Sequence, residues 1–439
     1  MSEWKKVKIG EFLTESKIIA VESDAAHRIT VRLNCKGVEQ RSLKAEKEGA
    51  TKYYIRKAGQ FIYGKQNIHK GAFGIIPQEL DGFTSSADLP AFDVDLLKCI
   101  PEWICICLQK DNYYKSLQKN VKGVGSQRLA VNVFLDSEIP LPSVKTQKEI
   151  IKKIKLQLQK TDQLSIEIES QKSYIKQLRQ NILQEAIEGK LTADWRKQNP
   201  VQKGNPDYDA EALFEQIQKE RNSDKKQKEL SPITNEEKPF ELPVGWKWVR
   251  LGNIVENITS GSREWAKYYS DKGAIFLRMG NLSRNSYNLR LDNLQYVCVP
   301  ETTEGKRTRL VPFDLLFSIT AEIGNLGLIP ENFPEAYINQ HTARIRFVDS
   351  IRQSLFFANS LLAPAIRKQY MPNTHGMKNS FRLDTLSYLL VPLPPLAEQR
   401  EIVAQIEKYL QTVSDLENQI IAREQLTKQL THTILKEDF

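Results

Sequence analysis

The 439-residue sequence contains no C-x-x-C: its five cysteines, Cys35, Cys99, Cys105, Cys107 and Cys298, are odd in number and scattered. Neither a disulfide framework nor a zinc site is suggested, and a reduced, cytoplasmic setting fits best. No stretch approaches the roughly 18 uninterrupted apolar residues of a membrane span, and the opening Met1-Ser2-Glu3-Trp4 lacks an apolar signal region. A soluble protein without membrane contact is expected. No G-x-x-x-x-G-K-[S/T] loop is present, since Gly189-Lys190-Leu191 lacks both the earlier glycine and the hydroxyl residue. The five histidines, His27, His69, His341, His375 and His432, have no metal-ligand spacing, so no metal and no chemistry is assigned to them.

What is there is ordinary in bulk and unusual in order. A hydrophobic content of 40% with 27% charged residues describes a chain that buries cores. Its length calls for two or three domains. The formal net charge of +9 favours polyanionic partners, though solubility alone accounts for a charge of that size.

The chain repeats itself. Trp4-Lys-Lys-Val-Lys-Ile-Gly10 returns as Trp246-Lys-Trp-Val-Arg-Leu-Gly252, and Ile139-Pro-Leu-Pro142 returns as Val391-Pro-Leu-Pro394, 252 residues on. That same displacement holds without a gap from Gln147/Gln399 to Glu185/Glu437, while Gly74-Ile-Ile-Pro77 and Gly327-Leu-Ile-Pro330 correspond between the anchors. So long a period means duplicated domains and not solenoid bricks. Each copy opens with a mixed segment, 1–142 and 240–394, whose β-rich runs include Ile29–Leu33, Gln60–Tyr63 and Tyr296–Val299. Prolines 140 and 142, and 392, 394 and 395, then mark the start of one long helix.

Both helices carry a heptad seam. In the first, 143–189, it runs through Ile150, Ile154, Leu164, Ile168, Ile175, Leu178 and Ile182, with Gln157 and Gln171 interrupting it. In the second, 395–439, it runs through Ile402, Ile406, Leu416, Ile420, Leu430 and Ile434, with Arg423 interrupting it. About 42 residues make a rod of about 60 Å. So long a seam implies a coiled coil, and the expected partner of each helix is its sister, antiparallel, with the two mixed domains at opposite ends. The polar seam residues then fix register or face helices of another subunit. The join at 190–239 is charge-rich and reads as a polar connector with a short helix near Ala210–Glu220. The fold class is therefore α+β: two similar globular domains separated by two long antiparallel coiled-coil helices, with pseudo-twofold duplication.

This plan resembles the specificity subunits of type I restriction-modification systems, over the whole chain. The resemblance rests on Val391-Pro-Leu-Pro-Pro-Leu-Ala-Glu-Gln-Arg-Glu-Ile-Val403, on Gly189-Lys-Leu-Thr-Ala-Asp-Trp-Arg196 and on Leu242-Pro-Val-Gly-Trp246. The first copy departs from the pattern, with Ser143-Val-Lys-Thr-Gln147 where the second has Pro395-Leu-Ala-Glu-Gln399. The resemblance implies two target recognition domains that read double-stranded DNA. It implies a helical spacer that docks two methyltransferase subunits, joined by motor-nuclease subunits in the full complex. AdoMet, ATP and Mg²⁺ would then serve those partners, with no cofactor in this chain, and the subunit itself would be non-catalytic. A methyltransferase would need a glycine-rich AdoMet loop and an Asn/Asp-Pro-Pro-aromatic motif. The nearest string, Asn205-Pro206-Asp207-Tyr208, lies in the polar join and reads as a turn. The alternative is a non-catalytic coiled-coil scaffold whose end domains bind protein.

Base reading requires polar and cationic side chains on loops or element ends. In the first domain the basic loop before the Ile-Pro-Leu-Pro boundary offers Lys122, Ser126, Gln127 and Arg128, and the stretch 28–41 offers Arg28, Arg32 and Arg41. In the second, the loop at the corresponding place offers Lys378, Asn379 and Arg382, and an early Ser-Gly turn offers Ser262 and Arg263. For each, a solvated surface cation is the competing reading. Two different readers on one rigid rod predict a bipartite, asymmetric target with half-sites roughly 10 bp apart.

Overall fold

The computed structural model describes residues 4–21, 24–42, 52–120, 128–221, 230–261, 263, 265–299, 307–371 and 381–437. The chain divides into two compact units, Met1–Glu169 with Ile421–Phe439, and Ser170–Ile420.

In the first unit the strands are β1 (Lys6–Lys8), β2 (Leu13–Ser16), β3 (Ile29–Val31), β4 (Val38–Gln40), β5 (Tyr53–Ile55), β6 (Phe61–Tyr63), β7 (Phe73–Ile75), β8 (Thr84–Ser86), β9 (Ala91–Val94) and β10 (Glu138–Pro140). A four-stranded antiparallel sheet, order β2-β9-β6-β7, forms the centre. β1 and β10 pair antiparallel with Val7 opposite Ile139, which ties the start of the domain to its end. Helices α1 (Pro101–Gln109), α2 (Tyr113–Ser116) and α3 (Val131–Leu135) follow the sheet, and α4 (Val144–Ile187) begins just beyond Pro142. The core is aromatic: Phe61, Tyr63, Phe92 and Phe134 are fully buried around one another, with Trp103 in the same cluster.

The second unit repeats this frame. Helices α5 (Ala193–Gln198) and α6 (Ala210–Arg221) precede β11 (Lys247–Arg250) and β12 (Val255–Ser260). Then come β13 (Tyr269–Ser270), β14 (Ala274–Leu277), β15 (Gln295–Val297), β16 (Leu315–Ser318), β17 (Leu326–Leu328), β18 (Ala336–Ile338) and β19 (Thr342–Phe347). Helices α7 (Phe356–Leu362), α8 (Pro364–Tyr370) and α9 (Leu383–Ser387), strand β20 (Leu390–Leu393) and helix α10 (Leu396–Glu437) close the chain. Its central sheet, order β12-β19-β16-β17, is the counterpart of β2-β9-β6-β7, and β11 pairs β20 as β1 pairs β10. The insertions differ. The first unit has two separate antiparallel pairs, β3-β4 and β5-β8, where the second has one sheet, β13-β15-β14-β18, with a parallel β14-β18 pair.

The long helices contribute to both units. In the first, Ile151 and Ile154 of α4 share a core cluster with Ile434 of α10, and Glu167 faces Arg423 at 4.0 Å. In the second, Leu183 and Ile187 share a cluster with Ile402 and Ile406, and Arg179 meets Glu417 at 2.9 Å. Numbers rise on one helix as they fall on the other, so the pairing is antiparallel in each unit. Only one of the two heptad positions is deeply covered. Ile154, Thr161, Ile168, Ile175 and Ile182 are buried, as are Ile406, Val413, Ile420, Thr427 and Ile434. At the other position Ile402 is also buried, but Ile150 and Leu164 are half-buried and Leu178, Leu416 and Leu430 are 39–47% exposed. The buried threonines cost little, because Thr161 and Thr427 return their hydroxyl protons to carbonyls of their own helix. Gln157 Oε1 is buried without a hydrogen-bond partner among the described residues.

Each helix is locked to its domain by a glutamine. Gln147, fully buried, accepts the N–H of Ile100 and donates to the carbonyls of Lys98 and Pro142. Gln399 donates to the Pro394 carbonyl and accepts from Ser354. Within the join, read from its composition as a polar connector, helix α6 packs into the second unit's core. Ala210, Leu213 and Ile217 are buried against it because they recur at helical spacing on one face of α6. The polar face of α6 holds the domain too, with Gln218 and Arg221 donating to the Asn253 carbonyl.

Three motifs that carry the resemblance meet at one carboxylate. Glu398, 2% exposed, accepts hydrogen bonds from Thr192 at 2.7 Å and Trp246 Nε1 at 2.7 Å, and pairs with Arg196. Gly189 ends α4 in the left-handed conformation, φ +71°, with Lys190 N–H reaching the Glu185 carbonyl and Gly189 N–H the Ala186 carbonyl. A Cβ there would lie 2.6 Å from Pro243 and 3.1 Å from Trp246. Glu398→Ala strands Arg196 beside an emptied polar pocket. It should destabilise the second unit by about 3 kcal/mol, read as a lowered midpoint of its thermal transition, and Gly189→Ala should lower the same midpoint.

Candidate nucleic-acid interface

Arg128, the last residue of the first domain's basic stretch, lies where the strands of that domain converge. β2 ends at Ser16, β9 begins at Ala91 and β6 ends at Tyr63, so the turns after and before them gather at one end of the sheet. A backbone relay crosses that end: Leu129 N–H donates to the Lys65 carbonyl, and Lys65 N–H donates to the Asp88 carbonyl, each at 2.9 Å. Arg128, one residue before the relay, is half-exposed and pairs side-on with Asp88, Nε to Oδ1 and Nη2 to Oδ2, both at 3.1 Å. Lys122, Ser126 and Gln127 lie outside the described residues.

The second domain builds the same relay from other residues. Phe381 N–H donates to the Ile319 carbonyl at 2.8 Å, and Ile319 N–H donates to the His341 carbonyl at 3.0 Å. This brings the root of the second polar loop to the end of β16 and the start of β19. Arg382 is exposed there, as the residue capping α9, while Lys378 and Asn379 lie outside the described residues. The Ser-Gly turn reaches the same end, since Gly261 N–H donates to the Asn339 carbonyl. Arg263 is exposed beside it and Ser262 is outside the described residues. Gly261 and Phe381, far apart in sequence, are therefore tied to the same end of the sheet.

Sequence reasoning missed other members of the surface at that end. His341, given no chemistry from its spacing, lies between Thr320 Oγ1 and Gln340 Nε2, each 2.9 Å from one of its ring nitrogens, and Asn339 Oδ1 accepts the His341 N–H. A polar groove of about 510 Å³ opens alongside, lined by Arg278, Asn281, Arg290, Asn339 and His341. The available signal was the polar run Asn339-Gln340-His341-Thr342, which stands where the first domain has Asp88.

The other cations of the first domain sit on a separate hairpin. Arg41 N–H donates to the Arg28 carbonyl, which places the two at the open end of β3-β4, and the Arg28 guanidinium lies over the Tyr53 ring at 4.2 Å. Arg32 is exposed and pairs with Glu39 at 2.8 Å. Several arginines close to the sheet ends are structural. Arg56, 2% exposed, donates to Ser85 Oγ and to the carbonyls of Ser16 and Leu89, and burial pulls its pKa down to about 10. Arg344 is likewise buried, donating to the carbonyls of Arg307 and Arg309 and to Asn257, and Arg346 grips buried Asp314 through two nitrogens at 2.7 Å. These guanidiniums are held by the protein's own carbonyls, hydroxyl, amide and carboxylate, with Arg344 Nε alone of Arg344's nitrogens buried without a hydrogen-bond partner among the described residues. Among the described residues, no cluster of three His, Cys, Asp or Glu is placed to hold a metal ion, and no helix is long and apolar enough to cross a membrane.

Comparison with known proteins adds names to this geometry. Residues 243–424 match the family model described as the type I restriction modification DNA specificity domain. The chain is similar to the EcoAI specificity subunit of a type I restriction enzyme from Escherichia coli, 30% identical over 54% of this chain and 40% of that protein. It is also similar to the EcoBI specificity subunit from Escherichia coli, 22% identical over 74% of this chain and 63% of that one. The chain thus spans less than two thirds of these relatives' length. Among solved structures, the HsdS subunit from Thermoanaerobacter tengcongensis superimposes with a TM-score of 0.57 at 18% identity, over 100% of this chain and 98% of the other. A chain from a study of complex assembly and conformational transition of the type I R-M system gives 0.62 at 18% identity, over 100% and 99%. At that identity the likeness is one of fold.

The Ser-Gly turn depends on glycine. A Cβ on Gly261 would sit 2.0 Å from the Ile338 carbonyl oxygen and 2.5 Å from the Asn339 carbonyl carbon, whereas one on Gly280 would meet nothing within 4 Å. Gly261→Ala should destabilise the second unit by about 2 kcal/mol through backbone displacement, and Gly280→Ala should stay within about 0.5 kcal/mol. Denaturant unfolding of the two variants in parallel checks the contrast.

Proposed function

Because the chain belongs to the family of type I restriction-modification specificity subunits, we propose that it directs such a complex to a bipartite, asymmetric DNA target, each of its two domains reading one half-site. The observation that carries this reading is the pair of relays, Leu129-Lys65-Asp88 and Phe381-Ile319-His341. One backbone scaffold presents two different sets of side chains, which is what two readers of unlike sequences require. Exposed Arg128, Arg263 and Arg382 at those sheet ends supply donors to phosphates or base edges. The subunit itself performs no chemistry. Methylation and, with motor-nuclease subunits, cleavage belong to partners that use AdoMet, ATP and Mg²⁺. Two methyltransferase subunits dock on the long helices, where Leu178, Tyr409, Leu416 and Leu430 leave apolar surface open to further helices. The cytoplasm is where these partners and their DNA meet.

Exchanging the first recognition domain for that of a related protein should change one half-site and leave the other intact. Sequencing of methylated sites in cells that carry the chimera reads the outcome, and a change in both half-sites together sinks the model. The full chain should also be retained on DNA with a steep loss of affinity as salt rises. A scaffold whose end domains bind protein would show neither effect.

A further inference from the structure

Resting on that reading, we infer that Arg128 reads a guanine in the first half-site and that Asp88 positions it. A guanidinium has two usable edges, the side edge made by Nε and one Nη, and the end edge made by the two Nη groups. The Asp88 carboxylate takes the side edge with both oxygens, at 3.1 Å and 3.1 Å. The end edge, one N–H from each Nη, remains outside that pair and points with the plane the carboxylate has fixed. Two parallel donors at that spacing match the O6 and N7 acceptors that guanine alone presents side by side in the major groove. A side chain that simply neutralised phosphate would gain nothing from a carboxylate beside it, because the carboxylate cancels its charge.

The anchoring is equally specific. Arg128 stands one residue before Leu129, whose N–H is tied to Lys65, and the Lys65 N–H is tied to the carbonyl of Asp88 itself. Buried Arg56 holds the adjoining Leu89 carbonyl, so the turn bearing Asp88 is braced from below. Backbone of both partners is therefore fixed before DNA arrives, and the long arginine side chain loses little further freedom on binding. Two half-exposed residues form an ion pair worth little to stability. Its use lies in orientation.

The test is binding-site selection from randomised duplexes, followed by salt titration, with the full chain assembled with the methyltransferase of its own system. Wild type should select a two-part sequence. Arg128→Ala and Arg128→Lys should each lose preference at one G·C pair of one half-site, roughly 10- to 100-fold, with the other half-site unchanged. Asp88→Ala should weaken that same preference while binding to unrelated DNA stays equal or tightens, since a negative charge has been removed. A purely structural Asp88 would instead weaken both, and Asp88→Glu should restore part of the preference. If Arg128→Ala lowers affinity uniformly over all sequences and reduces the salt slope by about one, Arg128 is a phosphate contact and the inference fails. If Arg128→Ala leaves the selected sequence unaltered, it also fails. If wild type selects no two-part sequence, the functional reading on which it rests is what has failed.

Discussion

The buried glutamine at the start of each long helix is the joint on which the structure depends. Gln147 and Gln399 stand in the first turn, where helix N–H groups lack partners of their own. Each side chain spans from the helix start to the chain leading into α1 or α7, Gln147 through Ile100 and Lys98, Gln399 through Ser354. An amide supplies both a donor and an acceptor at the end of a short stem, so Gln147 satisfies two backbone segments at once and Gln399 joins the Pro394 carbonyl to the Ser354 hydroxyl. Full burial makes each of those bonds hard to forgo. The direction in which each helix leaves its domain is thereby fixed.

Duplication supplied that joint twice and then diverged around it. The second copy adds Glu398 one residue earlier, and with it the clasp to Thr192, Arg196 and Trp246. The first copy has Thr146 at that place, within reach of Ser143. The cost of burying Glu398 is offset by three donors, one of them charged. Residues that look like a family fingerprint thus act in holding the second unit together. The candidate interface lies among the residues that differ between the copies.

The helices and the repeat were legible because both are written in local periodicity: a heptad spacing of Ile and Leu and, through the helices, a constant displacement of 252. The α6 packing was less legible. Its stretch is charge-rich overall, and only the burial of Ala210, Leu213 and Ile217 shows that one face outweighs the composition. The interface was the least legible. Arg128 and Arg263 are found by residue type, but His341 and Asn339 gain their place only because the end of β16 meets the start of β19. Contacts of that kind join residues far apart in the chain, from Ile319 to His341 and from Lys65 to Leu129, and no pattern along the chain records them.

The sequence by itself determined the copy number, the helix registry and the points where helix replaces sheet, since proline geometry and apolar spacing act within a few residues. Tertiary structure decided which heptad position is buried, that α6 of the connector packs into the second unit's core, and which polar side chains share a surface. Those outcomes turn on how many apolar atoms leave water together and on which buried polar groups find partners. Both are properties of packed neighbours rather than of neighbours in the chain.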